Sequence, residues 1–94
     1  MTTSETVTQR ILFSGRVQGV GFRWSTRQLA TARPIFGYVR NLSDGRVELV
    51  AQAESKQIEA LLAELQRRFP GHVEEIERED LPADDSLNNF DIRA

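Results

Sequence analysis

The segment Gly15-Arg16-Val17-Gln18-Gly19-Val20-Gly21-Phe22-Arg23 concentrates the residue types able to hold an anion. Glycine lacks the Cβ that keeps ligands away from the main chain, so successive amides in such a loop can converge on one negatively charged group. Where the loop opens a helix, the unpaired amides of the first turn add partial positive charge at the same place. Arg23 would stand at the start of that helix, where its planar guanidinium can close over a phosphate. A purely structural reading competes with this one, since a strand-to-helix turn uses glycine simply to reach positive φ. Spacing alone leaves both open.

The charge distribution bears on the choice. The formal net charge is −2, yet residues 1–46 hold seven arginines against two acids, whereas residues 47–94 hold five basic against twelve acidic groups. Every basic residue of the first half is arginine, whose fork suits bidentate contact with phosphate or carboxylate. An anionic ligand is suggested. Arg10, Arg27, Arg33 and Arg46 are read as ordinary solvated surface groups, so the case rests on Arg23 and, secondarily, Arg16. The absence of cysteine excludes disulfides, thiolate nucleophiles, Cys-type zinc sites and iron–sulfur clusters. The single histidine, His72, lies in the turn-like run Phe69-Pro70-Gly71-His72 and is read as a solvated surface residue. Neither a metal nor a cofactor is expected.

These residues must be positioned by a small scaffold. A chain of 94 residues, 39% hydrophobic and 28% charged, fits one domain, taken as residues 9–94 behind a polar, flexible tail over 1–8. No apolar run approaches the roughly 20 residues that span a bilayer, and MTTSETVT lacks the basic start and apolar stretch of a secretory signal, so a cytoplasmic location is expected. A first strand is predicted over Thr8–Ser14 and a helix over Phe22–Ala32, stopped by Pro34. Phe36–Leu42 and Arg46–Gln52 read as strands paired antiparallel across Ser43-Asp44-Gly45. Ile58, Leu61, Leu62, Leu65 and Phe69 recur at helical spacing, with Ser55 as the expected N-cap and Pro70-Gly71 as the stop. His72–Asp80 is a charged strand with Val73 and Ile76 as its apolar members. A closing strand over Asn89–Arg93 carries Phe90 and Ile92 on one face. The order strand, helix, strand, strand, helix, strand predicts an α+β, ferredoxin-like α/β sandwich, an antiparallel sheet of four to five strands with two helices on one face.

Two segments together carry a specific resemblance. The first is Gly15 to Arg23; the second, one helix later, is Gly37-Tyr38-Val39-Arg40-Asn41-Leu42-Ser43-Asp44-Gly45. Their content, order and separation resemble the acylphosphatase family, and the remaining pattern is similar across about residues 9–94. The resemblance implies hydrolysis of the carboxyl-phosphate anhydride of acyl phosphates to a carboxylate and inorganic phosphate. It implies that Arg23 binds the phosphate together with the loop Arg16, Val17, Gln18, Gly19, Val20, Gly21 and Phe22, and that Asn41 positions the attacking water. Apart from it, Asn41 reads as a residue capping the Leu42–Gly45 turn. Val17, Val20 and Phe22 are expected to pack and fix the loop, and the Gln18 side chain to be solvated while its amide serves the site. Trp24 and Tyr38 could edge an acyl-group pocket but read equally as ordinary packing. Arg33-Pro34 and Ala53 stand where the family usually has Leu-Gly and Gly, so the exit of the first helix and the turn into the second must differ locally.

The implied partners are a small-molecule acyl phosphate and inorganic phosphate, or another anion, as product or inhibitor. Nucleic acid is not expected, because Arg46-Val47-Glu48-Leu49-Val50-Ala51 offers no aromatic for base stacking and the chain is acidic overall. No membrane contact is expected, and a monomer is. The alternative function is a noncatalytic phosphate- or carbamoyl-phosphate-binding module of the same fold.

Overall fold

In the computed structural model, which describes residues 5–94, the chain runs β1 (Thr6–Gly15), α1 (Phe22–Thr31), β2 (Phe36–Asn41), β3 (Val47–Glu54), α2 (Ser55–Arg68), β4 (Val73–Leu81) and β5 (Phe90–Arg93). Alternation along the strands sends one set of side chains to the helices. Ile11 and Phe13 of β1, Val47, Leu49, Ala51 and Ala53 of β3, and Val39 of β2 form the sheet side of the core, packed against Phe22 and Ala30 of α1 and Ile58, Leu61, Leu62 and Leu65 of α2. The helical apolar spacing read from the sequence thus faces the sheet. Neither helix is long and apolar enough to cross a membrane.

The five strands lie in the order β4-β1-β3-β2-β5. The first three pairings are antiparallel, but β2 and β5 are parallel, so the sheet is mixed rather than antiparallel throughout. The direction follows from the connection. β4 ends beside the start of β1, at Thr8↔Leu81, and the 82–89 loop passes the end of β3, where Gln52 donates to the Asp84 carbonyl. β5 therefore starts from the end at which β4 stops and runs opposite to it, which is the direction of β2. Both edges are blunted, β4 by Glu74, Glu75, Glu77, Glu79 and Asp80 and β5 by its length of four residues.

Several boundaries move for local reasons. Of the expected tail, residues 1–4 lie outside the described residues, while Thr6, Val7 and Thr8 already pair with Glu54, Ala53 and Gln52. Two of these three are β-branched threonines and the third is valine, a composition suited to a strand. Ser55 is the first residue of α2 rather than its cap: β3 runs straight into the helix through an extended Glu54 with no side-chain cap. Ala53, buried in the core, needs no turn there. At the exit of α1, Ala32 stays right-handed and Ile35 N–H donates to Arg33 O at 2.7 Å, a three-residue turn centred on Pro34. Proline's fixed φ suits the central position of an inverse γ-turn, which replaces a left-handed glycine exit. Phe90 enters the core, but Ile92, on the same face of the edge strand, is 38% exposed.

Candidate active site

The end of the sheet where β1 and β2 stop is where the two sequence segments meet. β1 ends at Gly15, which pairs with Val73 at the start of β4, and β2 ends at Asn41, paired with Val47. Residues 16–21 leave β1 and enter α1 through Gly21, the helix N-cap, at φ 85° and ψ 14°. Gly19 is likewise left-handed at φ 76°, with open space where a Cβ would stand, so both glycines are required by conformation rather than by crowding.

Such a turn leaves its amides without partners. Among the described residues, the amides of Val17, Gln18, Gly19, Val20 and Gly21 donate to no acceptor, and the first helical bond is Ser25 N–H to Gly21 O at 3.0 Å. Phe22, Arg23 and Trp24 are therefore the orphan donors of the first turn. That turn has neither a side-chain cap nor an acidic residue to neutralise it. Arg23, half-buried, stands at its second position and makes no ion pair among the described residues. The arrangement is a run of donors and one guanidinium at a positive helix end, suited to an anion with several oxygens.

Asn41 pairs with Val47, which is fully buried, so its side chain lies on the helix-facing side of the sheet, at its end. Its Oδ1 is out of solvent and has no hydrogen-bond partner among the described residues. A buried amide oxygen without a donor is costly, of order 1–3 kcal/mol, and a bound donor relieves that cost. The turn-capping role is taken instead by Asp44, whose carboxylate accepts from Arg46 N–H at 3.0 Å and from its guanidinium at 2.8 Å. These bonds, the backbone one first, hold the Asp44 carboxyl below its ordinary value.

The loop is anchored at its start and at its middle by contacts that sequence did not reveal. Gln18 is half-buried rather than solvated: its Nε2 donates to Leu42 O at 2.8 Å and to Arg46 O at 3.0 Å. His72 is half-buried rather than solvated, with its ring 5.9 Å from that of Phe69. Its Nδ1 lies 3.0 Å from Arg16 O, and because a carbonyl only accepts, Nδ1 carries the proton. Arg16 N–H in turn donates to His72 O at 2.9 Å. The Arg16 amide is therefore committed to His72 and not free for an anion, leaving only its exposed guanidinium.

Other side chains sort by face. Val17 and Phe22 are core residues, Phe22 meeting Phe13 at 5.0 Å and Phe69 at 5.1 Å. Val20, expected to pack, is 39% exposed and has only its amide to offer the loop. Trp24 is exposed on α1. Tyr38 pairs with Val50 on the sheet face away from the helices, under the Arg93 guanidinium at 3.9 Å, and so not beside Asn41. On that face Glu48, 2% exposed, accepts from Arg10 and Arg40 at 2.6 Å each. Arg10 is thus a partner of a buried acid rather than a solvated group. Arg33 bonds Gln57 and Arg46 bonds Asp44.

The model of the family described as Acylphosphatase matches residues 9–92, which takes in the loop, Arg23, Asn41 and all five strands but the ends of β1 and β5. The chain belongs to the acylphosphatase family. An acylphosphatase of Synechococcus sp. (strain JA-2-3B'a(2-13)) is 43% identical over 91 residues, covering 96% of this chain and 96% of that protein. The solved structure of an acylphosphatase from Coxiella burnetii superposes with a TM-score of 0.84 at 35% identity, covering 99% of this chain and 100% of that one. The same architecture occurs within full-length HypF, solved in the phosphate- and nucleotide-bound form, where a TM-score of 0.86 at 27% identity covers 99% of this chain but 12% of that one.

Proposed function

We propose that this acylphosphatase-family chain hydrolyses acyl phosphates, with Arg23 and the amides of residues 17–23 as the phosphate site and Asn41 as the group that orients water. The observation that carries this reading is the run of amides unpaired among the described residues at an uncapped helix start, with a half-buried Arg23 inside it that makes no ion pair among those residues. In-line attack forms a bond from the water oxygen to phosphorus and breaks the bond from phosphorus to the acyl oxygen. The electron pair leaves with the carboxylate, and the water proton passes to a phosphate oxygen. A carboxylate leaving group has a conjugate-acid pKa near ~4, so departure needs no general acid. Charge on the equatorial oxygens is met by preorganised amides and the guanidinium, which supply positioning and electrostatic stabilisation. Asn41 is no base at neutral pH; its Oδ1 accepts from the water and so holds it in line. The chemistry asks for no metal.

Arg16 belongs to this site only through its side chain, and Val17, Val20 and Phe22 through their amides. Inorganic phosphate is the expected product inhibitor. A monomer in the cytoplasm, with no nucleic-acid partner, completes the reading; light scattering and cell fractionation check the first two. The binding-module alternative is less favoured, because the Synechococcus relative matched nearly end to end is itself an acylphosphatase. Hydrolysis of benzoyl phosphate in ¹⁸O-water with EDTA tests the route. Label in phosphate and none in benzoate is expected, with a phosphate monoester left intact. Label in benzoate would place attack at carbon and discard the proposed roles.

A further inference from the structure

We propose that the Gln18 side chain is a positioning residue that holds Asn41 in register with the phosphate loop, an inference that rests on the water-orienting reading of Asn41. Gln18 lies in the middle of the loop, between residues whose amides are unpaired among the described residues. Its carboxamide spends its donors on the two carbonyls that bracket the β2–β3 connection, Leu42 O at 2.8 Å and Arg46 O at 3.0 Å. Leu42 is the residue after Asn41, and Leu42 N–H itself donates to Arg46 O at 2.8 Å. One side chain therefore fastens the phosphate-holding segment to the base of the hairpin that carries the water-holding group.

Among the described residues, no hydrogen bond holds the Asn41 side chain itself. Its Oδ1 has no partner among the described residues, so its position is inherited from the backbone beside Leu42, whose carbonyl Gln18 holds. The contact also explains the residue type. Two carbonyl oxygens need a group with two hydrogens to donate, and beside an anion site it must bring no negative charge of its own. Glutamine meets both needs at this reach, whereas glutamate would set a carboxylate against two carbonyls and the phosphate. Reacting groups displaced by about 1 Å can lose as much as 100-fold in rate, so a slack hairpin shows in turnover before it shows in binding.

Two measurements on the intact protein test this. In benzoyl phosphate hydrolysis, Gln18→Ala and the bulk-preserving Gln18→Met should lower kcat by roughly ten- to hundredfold. Inhibition by inorganic phosphate should stay within about threefold of wild type, since the loop amides and Arg23 remain. On an Asn41→Ala background the Gln18 substitutions should cause no further loss. Additive losses, or phosphate inhibition weakening in step with kcat, would overturn the proposal; Gln18→Met decides if Gln18→Ala does not fold. In amide NMR, inorganic phosphate titrated into wild type should shift residues 17–23 together with Asn41 and Leu42, and in Gln18→Met only the former. Hairpin signals that stay still in wild type, or move equally in both proteins, would also overturn it. Should the wild type shift as expected yet release no phosphate from benzoyl phosphate, the enzyme reading fails while the coupling through Gln18 stands.

Discussion

Arg23 and Asn41 are assigned different work, and substitution should separate them. Arg23→Lys keeps the charge but loses the planar fork, so phosphate inhibition should weaken by about tenfold. Asn41→Ala removes the group proposed to hold water rather than phosphate, so inhibition should change little while kcat falls; isothermal titration with phosphate checks both. Equal weakening in the two variants would mean that Asn41 holds the anion directly. At this scale the sequence was informative wherever chemistry is local in the chain. The loop glycines, Arg23 and Asn41 are legible because each sits inside a short ordered motif. Gln18 and His72 read as solvated in the sequence because their partners lie 24, 28 and 56 residues away, where no periodicity or turn signal reaches. Arg10 escaped for the same reason, bound to an acid 38 residues on.

Elements carry the site by their ends rather than their faces. α1 begins where a left-handed glycine lets the chain turn with its amides outward, and a Cβ at Gly21 would meet open space. Gly21→Ala should therefore destabilise the fold by about 1–2 kcal/mol through conformation alone, measured by urea unfolding, and weaken phosphate inhibition as the amides shift. A stability change without a change in phosphate affinity would show that the turn geometry does not serve the anion. The helices were readable from apolar spacing, and the hairpin from Asp44-Gly45. Their ends were less so, because an uncapped start at Ser55 and a proline-centred exit at Pro34 depend on how the adjoining strand enters the sheet.

For the whole molecule, the mixed sheet shows what pattern alone leaves open: β5 reads as a strand in sequence, but its direction is set by the end of the sheet at which β4 stops. The face away from the helices adds a stability consequence. Burial of Glu48 opposes its charge, yet hydrogen bonds from Arg10 and then Arg40 outweigh this and hold its carboxyl below the ordinary 4.5. The native state thus binds that proton less readily than the unfolded chain. The stabilisation is present above about pH 4.5 and is lost as pH falls through the lower native value. Glu48→Gln should cost about 1–2 kcal/mol at pH 7, discounted because both arginines are partly exposed, and should flatten the fall of Tm in acid. A variant whose Tm falls with acid as steeply as wild type would remove Glu48 from that account. Phosphate release from benzoyl phosphate in EDTA, by the wild type and by folded Arg23→Ala and Asn41→Ala variants, tests the reaction and both assigned roles at once. Turnover by the wild type and a loss of roughly 100-fold or more in either variant are expected. A wild type that binds phosphate through Arg23 but hydrolyses nothing, or variants as active as wild type, would contradict these assignments.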